Sequence, residues 1–420
     1  MTDLDTLMRA GLDELTADIG GISSERLTER LMMVRARRAR RRHRRGLAVV
    51  SVLVVLAGVV AAATHSRGPG NAIVSTGPTT SDGPGFELWG SGWHVLDAVP
   101  VPAMNRASLG WTGHELIVAG DGVAYGYQPG PGTWRELPPP PFGRGDVLGF
   151  TWTGKVLVAV DGTTASGRSA TWSPETDRWR DLGVVPIARS LKATGASGPH
   201  AASGGAALVW TGQRVLDLTH GAVLDPGADE WTTLAMPSAL VPFAQLALSV
   251  PVWAGGEVVL SSWSIGPGLA WDPTGSTYRQ LPGLPAGLVG PSPDVNSDTA
   301  ATVLGDGVVL VNGDGLAARF DLGTGLWSAL PTVPGMGTGE GCPSSIVTVA
   351  GYVVVAPCDG TPPVVLRAGA WQSTGPPPTS DPCCTTRWID AGRALVSWST
   401  STDTINGPPK PYRHGEVWIP

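Results

Sequence analysis

Four aspartates recur at one place in a repeated phrase, each followed by glycine: Asp121, Asp161, Asp314 and Asp359. If the repeats close into a ring, such carboxylates converge on one face, where several oxygens could bind a cation or a basic ligand. Aspartate before glycine is also the chemistry of a tight turn, in which the carboxylate accepts backbone N–H bonds. Only four of seven units have the pair, and no further ligands accompany it. We therefore assign these aspartates to turns, and Asp225 and Asp272, each followed by proline, to turn starts.

No other constellation points to catalysis. Gly-x-Ser-x-Gly, the phosphate-cradling Gly-x-x-x-x-Gly-Lys-Ser/Thr and His-Glu-x-x-His are all absent. Outside an arginine block, the histidines His65, His94, His114, His200, His220 and His414 are scattered and suggest no common centre. His114 with Glu115 reads as part of a surface turn. The four cysteines, Cys342, Cys358, Cys383 and Cys384, have no histidine at zinc spacing and read as disulfide candidates. Cys342 with Cys358 is one plausible pairing among three, with Cys383 and Cys384 vicinal or one of them joined elsewhere. The expectation is no enzyme: no catalytic residue, no cofactor and no metal.

The elements that must position these residues are repeats. One phrase, turn–strand–turn, runs from Trp111 to Gly122 and again from Trp152 to Gly162, Trp210 to Leu216 and Trp253 to Leu260, with weaker copies from Leu304, Val349 and Ile389. A second phrase sets an apolar or aromatic residue seven positions before another aromatic: Tyr127/Trp134, Trp172/Trp179, Leu224/Trp231, Trp271/Tyr278 and Phe320/Trp327. Leu366/Trp371 and Leu88/Trp93 shorten the spacing to five. A leucine and proline often follow. The residues between, such as those of 173–178 and 225–230, are hairpin turns. Each unit thus holds about four strands. Most of the 17 tryptophans are expected to be packing between units rather than ligand platforms.

This pattern resembles the kelch-type β-propeller, in which a tryptophan closes each four-stranded blade. Here the usual glycine pair is mostly replaced by x-Asp-Gly. The resemblance covers residues 86–420 and implies an all-β, kelch-like propeller. Counting gives seven blades, six beginning near Leu109, Gly149, Ala207, Val252, Ala301 and Thr348. The seventh combines Trp388–Pro420 with an outermost strand from Phe86–Trp89 through Trp93–Leu96. Such closure hides both sheet edges.

Composition agrees. Gly 58 and Pro 38 suit many short strands between turns, and a net charge of −6, about −14 once eight arginines at 35–45 are set aside, excludes a basic nucleic-acid surface. Those arginines precede Leu47–Thr64, eighteen uncharged residues that span roughly 27 Å as a helix, near the lower end of what crosses a bilayer. The positive-inside rule holds the arginine end in the cytoplasm. Ala61-Ala62-Ala63 also fits a cleaved signal peptide, but 46 residues ahead of the apolar run is far longer than a signal's charged region.

The expected layout is a cytoplasmic tail over 1–45 with a short acidic amphipathic helix, a transmembrane helix over 46–64, a Gly/Pro/Ser/Thr stalk over 65–85 and an extracytoplasmic propeller over 86–420. It is similar to that of actinobacterial membrane proteins associated with extracytoplasmic sigma factors, though the tail lacks their zinc-binding His-x-x-x-Cys-x-x-Cys. Three functions follow: a tethered binding or scaffold propeller for a protein, glycan or cell-wall ligand; a transmembrane regulator whose tail docks a cytoplasmic transcription (sigma) factor; or a propeller enzyme acting on a glycan or small molecule. The partners expected are an outer-face protein or envelope glycan, a cytoplasmic protein at the tail, and lipid at the anchor.

Overall fold

The computed structural model describes residues 85–96, 107–143, 148–161, 167–188, 191, 207–240, 251–261, 268–285, 288, 299–336, 345–357, 361–378, 386–399 and 415–420. The tail, the Leu47–Thr64 segment, the stalk up to Pro84, all four cysteines, Asp359, His65, His200 and His414 lie outside these residues.

The described strands form seven four-stranded antiparallel sheets. The first strands of the sheets, in blade order, are Ser108–Trp111, Leu148–Trp152, Leu208–Trp210, Val252–Ala254, Thr299–Leu304, Ser345–Val349 and Thr386–Asp390. Each lies beside the first strand of the next blade, and the seventh lies beside the first, so they close a ring. The molecule is a seven-bladed β-propeller.

Residue type follows radial position. Second strands such as Leu116–Gly120, Leu157–Asp161 and Gly307–Asn312 are buried at every residue, because both faces of the sheet meet a neighbouring blade. Their unbroken Val/Leu/Ile runs are what that environment requires. Outer strands such as Glu230–Thr233 and Thr277–Gln280 are mostly exposed and polar.

The two repeated phrases have separate geometric jobs. In Trp-Thr-Gly the threonine ties the turn between first and second strands. Thr112 Oγ1 donates to the Glu115 carbonyl at 3.1 Å and accepts its N–H at 3.0 Å, and Thr153 and Thr211 repeat this with Val156 and Arg214. Gly113, Gly154 and Gly212 follow at φ of 92°, 88° and 90°, where a side chain would be strained.

The spacing of seven places two residues directly opposite each other across the outer hairpin. Tyr127 faces Trp134, Trp172 faces Trp179, Leu224 faces Trp231, Trp271 faces Tyr278 and Phe320 faces Trp327. Leu366 faces Trp371 across a two-residue turn, Ala368–Gly369, with both φ values positive. The turn aspartates act as expected: Asp225 Oδ1 accepts the Gly227 N–H at 2.9 Å, and Asp272 Oδ1 accepts the Thr274 N–H at 2.8 Å.

The seventh blade is closed by an N-terminal strand, as the repeat count predicts, but with different bounds. Only Gly92–Val95 is a strand, paired with Gly415–Ile419 so that Trp93 faces Trp418 rather than Leu88. Phe86–Leu88 is a single 3-10 turn. Phe86 is used as a plug, 2% exposed, with its ring 5.4 Å from that of Trp111 and 6.4 Å from that of Tyr127. Leu88 is left 71% exposed. Gly92, at φ 108°, separates the plug from the strand.

The outer tryptophans also stitch blade to blade. The Nε1–H of Trp179 reaches the Pro138 carbonyl at 2.9 Å, Trp327 that of Pro282 at 3.1 Å, Trp371 that of Pro331 at 2.7 Å, and Trp93 that of Gly375 at 3.1 Å. Each acceptor sits just after the outer strand of the preceding blade, which gives the recurrent Leu-Pro its purpose. Trp231 donates to Ser169 Oγ at 2.9 Å instead. Blade 4 has Tyr278 at this place, 49% exposed, and a phenol has no ring N–H to make the stitch. Tyr278→Trp should therefore stabilise the domain by about 1 kcal/mol, the net worth of one hydrogen bond. A raised urea midpoint would show this; an unchanged or lowered midpoint would show that blade 3 offers no acceptor there.

Candidate binding surface

The two ends of the propeller differ. Because each blade runs through its four strands in order, turns between first and second and between third and fourth strands fall at one end. These are all short, for instance 112–115, 129–132, 255–256 and 350–351. The opposite end receives every connection between blades and every link from second to third strand, among them 185–207, 234–251, 281–298 and 400–414.

Among the described residues, the x-Asp-Gly aspartates Asp121, Asp161 and Asp314 do not form a carboxylate ring. Asp121 is a turn residue at φ 52°, followed by Gly122 at 80°. Asp161 ends a second strand and is buried. Asp314 lies in a turn organised by Asn312, whose Oδ1 accepts the Asp314 N–H at 3.1 Å and the Leu316 N–H at 2.8 Å. Among the described residues, no group of three or more His, Cys, Asp and Glu side chains has metal-binding geometry. His114 is exposed in its Trp-Thr-Gly turn.

Glu115, by contrast, is not a surface residue. It is 5% exposed and holds Arg135 in a two-bonded pair, Nε to Oε1 at 2.6 Å and Nη2 to Oε2 at 2.9 Å. Arg135 Nη1 continues to Asp177 Oδ2 of blade 2 at 3.0 Å, and the guanidinium lies 5.8 Å from the centre of the Trp172 ring. The Glu115 bond, opposed by burial, raises the arginine's already high pKa. The pair crosses over Gly126, where any Cβ would collide with the Glu115 carboxylate. Blade 4 repeats the device with Glu257 and Arg279, whose guanidinium lies 5.9 Å from the centre of the Phe320 ring of blade 5. Arg180 likewise reaches Asp229 of blade 3. A legible signal existed: both glutamates end a Trp-x-Gly-x-Glu phrase, and both arginines follow the outer aromatic.

A second buried pair escaped sequence reasoning. Asp217 and His220, both 0% exposed, are joined through Nδ1 and Oδ2 at 2.6 Å, and Asp217 Oδ1 also accepts the His220 N–H at 3.1 Å. The imidazole packs where a Cβ on Gly167 of blade 2 would stand. With no solvent access, this Asp-x-x-His fixes a turn and a blade seam; it is not positioned to act on a substrate.

One level of the inner ring is uneven. Trp111, Trp152, Trp210, Trp253, Val303, Thr348 and Asp390 occupy the same register, each opposite the residue that lies five positions later. Four indoles wedge the seams of blades 1 to 4, whereas the other half of the ring carries small or polar groups. Thr348 Oγ1 bonds Thr302 Oγ1 of the preceding blade at 2.9 Å and the Val303 carbonyl. Asp390 is half-buried overall, but its Oδ1 is shut off from solvent and makes no hydrogen bond.

Burial pushes the Asp390 carboxyl from its usual 3.8 up to about 8, against a hydrogen bond from the Gly392 N–H that favours ionisation. The folded state therefore keeps a proton that the unfolded chain releases, and the resulting cost grows as pH rises from about 4 to about 8. Asp390→Asn retains an acceptor for Gly392 and removes that cost. At about 1.4 kcal/mol per pH unit, discounted for partial exposure, it should stabilise the domain by about 2 kcal/mol or more at pH 7 and by almost nothing at pH 4. Melting temperatures at the two pH values decide this; a pH-independent difference would mean that Asp390 is ionised in the fold.

Several solved structures are similar to this chain at low sequence identity. A structure of YCF48 bound to D1 peptide matches with a TM-score of 0.50 at 10% identity, covering 79% of this chain and 97% of that one. A chain of the mitotic checkpoint complex matches at 0.49 and 14% identity over 78% and 91% of the two chains. BamB from Moraxella catarrhalis matches at 0.45 and 14% identity over 78% and 99%. At such identities the likeness is one of fold. No protein-family model and no curated protein sequence matches the chain.

Proposed function

We propose that this protein is a membrane-tethered, extracytoplasmic binding or scaffold propeller that recognises a protein, glycan or cell-wall ligand. The observation that carries the reading is the asymmetry of the two ends: short turns at one, all the long connections at the other. Propellers present ligands with a rigid platform whose specificity lies in loops. The Glu115–Arg135 ion pair and the buried Asp217–His220 hydrogen bond support a binding role over a catalytic one, because both are consumed in holding blades and turns. The peptide held by YCF48 makes a protein segment the first ligand class to examine. Residues 86–420, which contain their own closing strand, should retain a defined protein or glycan from a purified envelope fraction saturably and in proportion to folded domain. Retention no greater than that of the heat-unfolded domain would remove the reading.

A second reading concerns the tail, whose leucines Leu4, Leu7, Leu12 and Leu15 recur at helical spacing among Asp3, Asp5, Asp13 and Glu14. An acidic amphipathic helix is repelled by anionic lipid and suits a protein partner, which would make the propeller the sensing half of a transmembrane regulator. Residues 1–45 used as bait should then recover a cytoplasmic transcription (sigma) factor. Recovery of nothing beyond an arginine-matched control peptide would leave the tail as a leader only.

A further inference from the structure

We propose that the propeller stands with its tight-turn end toward the membrane and presents the end bearing the long connections outward. This rests on reading Leu47–Thr64 as an anchor, and two observations on the propeller itself give it a direction. The first is where the chain enters. Gly92 pairs with Ile419 and Val95 with Glu416, so the closing strand runs from the tight-turn end toward the other. Residues 85–91, which lead into this strand, therefore approach it from the tight-turn end.

The second observation is how firmly that entry is fixed. Phe86 is buried against Trp111 and Tyr127, Trp89 Nε1 donates to the Pro129 carbonyl of a tight turn at 3.4 Å, and His94 Nε2 lies 2.6 Å from the Gly90 carbonyl. The stalk cannot peel away across the propeller without giving up this aromatic clasp.

Charge does not compete with the tether. Exposed groups on the tight turns carry both signs, Lys155, Arg214 and Arg393 against Glu175 and Asp306, so the end has no basic patch to adsorb anionic lipid.

The chain's three lysines make the orientation measurable: Lys155 sits on a tight turn, and Lys192 and Lys410 can be replaced. Full-length protein with an acetylated N-terminus is placed in phosphatidylcholine vesicles containing a lipid-borne energy acceptor, and the single lysine is labelled with a donor. K192R/K410R leaves Lys155 as the donor site. K155R/K192R/K410R/D314K moves it to an exposed turn at the opposite end. Transfer to the membrane should be at least threefold more efficient from position 155. Equal transfer, or greater transfer from position 314, overturns the orientation while leaving the anchor intact. Failure of the full chain to float with the vesicles instead overturns the anchor, and the orientation with it.

Discussion

The architecture depends on one pairing between the two ends of the domain, Gly92–Val95 against Gly415–Ile419. A row of four-stranded sheets has two raw ends, each with unpaired backbone groups and an apolar face. Only closure satisfies both. Here closure is made by hydrogen bonding and by packing together: the Leu96 N–H bonds the Gly415 carbonyl at 2.9 Å, and Leu96 fills the space where a Cβ on residue 415 would be. Glycine at 415 is thus required by close approach. The Phe86 plug then seals the seam where blade 7 meets blade 1.

Within the ring, a single numerical regularity does most of the work of specification. A spacing of seven, spanning two half-strands and a four-residue turn, puts one side chain opposite another and aims the outer indole at the blade before it. Cross-strand aromatic pairing and the bond to a carbonyl of the preceding blade are thereby coupled. Arginine placed one residue after the aromatic extends the same logic with charge, reaching a carboxylate in its own blade and an aromatic or carboxylate in the next.

This regularity explains what the sequence makes legible. Strand number, blade number and the pairing of Trp172 with Trp179 follow from period and spacing, which depend on local geometry alone. Turn roles for Asp225 and Asp272 follow from side chains bonding two residues onward, also a local matter. Phe86 reads as part of the following strand because an aromatic ahead of a strand looks like part of it, and only Trp111 and Tyr127, reached through the fold, give it a pocket. Glu115 reads as a surface residue for a related reason. A glutamate in a turn reads as solvated unless its arginine, 20 residues away, and the missing side chain of Gly126 are considered together. Asp390 is harder still, because its abnormal environment comes from standing where four other blades place tryptophan. Ligand identity leaves no such trace in the described residues, since loop chemistry carries no period.

The direction of the closing strand has a mechanical meaning. Any pull on the chain ahead of Gly85, away from the tight-turn end, loads Gly92–Val95 along its own axis. Its pairs with Gly415–Ile419 then share the force in shear and must yield together, whereas a pull from the opposite end would open them one after another like a zip. The clasp of Phe86 and Trp89 lies ahead of them in the line of load. The fold is thus braced against being drawn open from the side on which its own chain arrives.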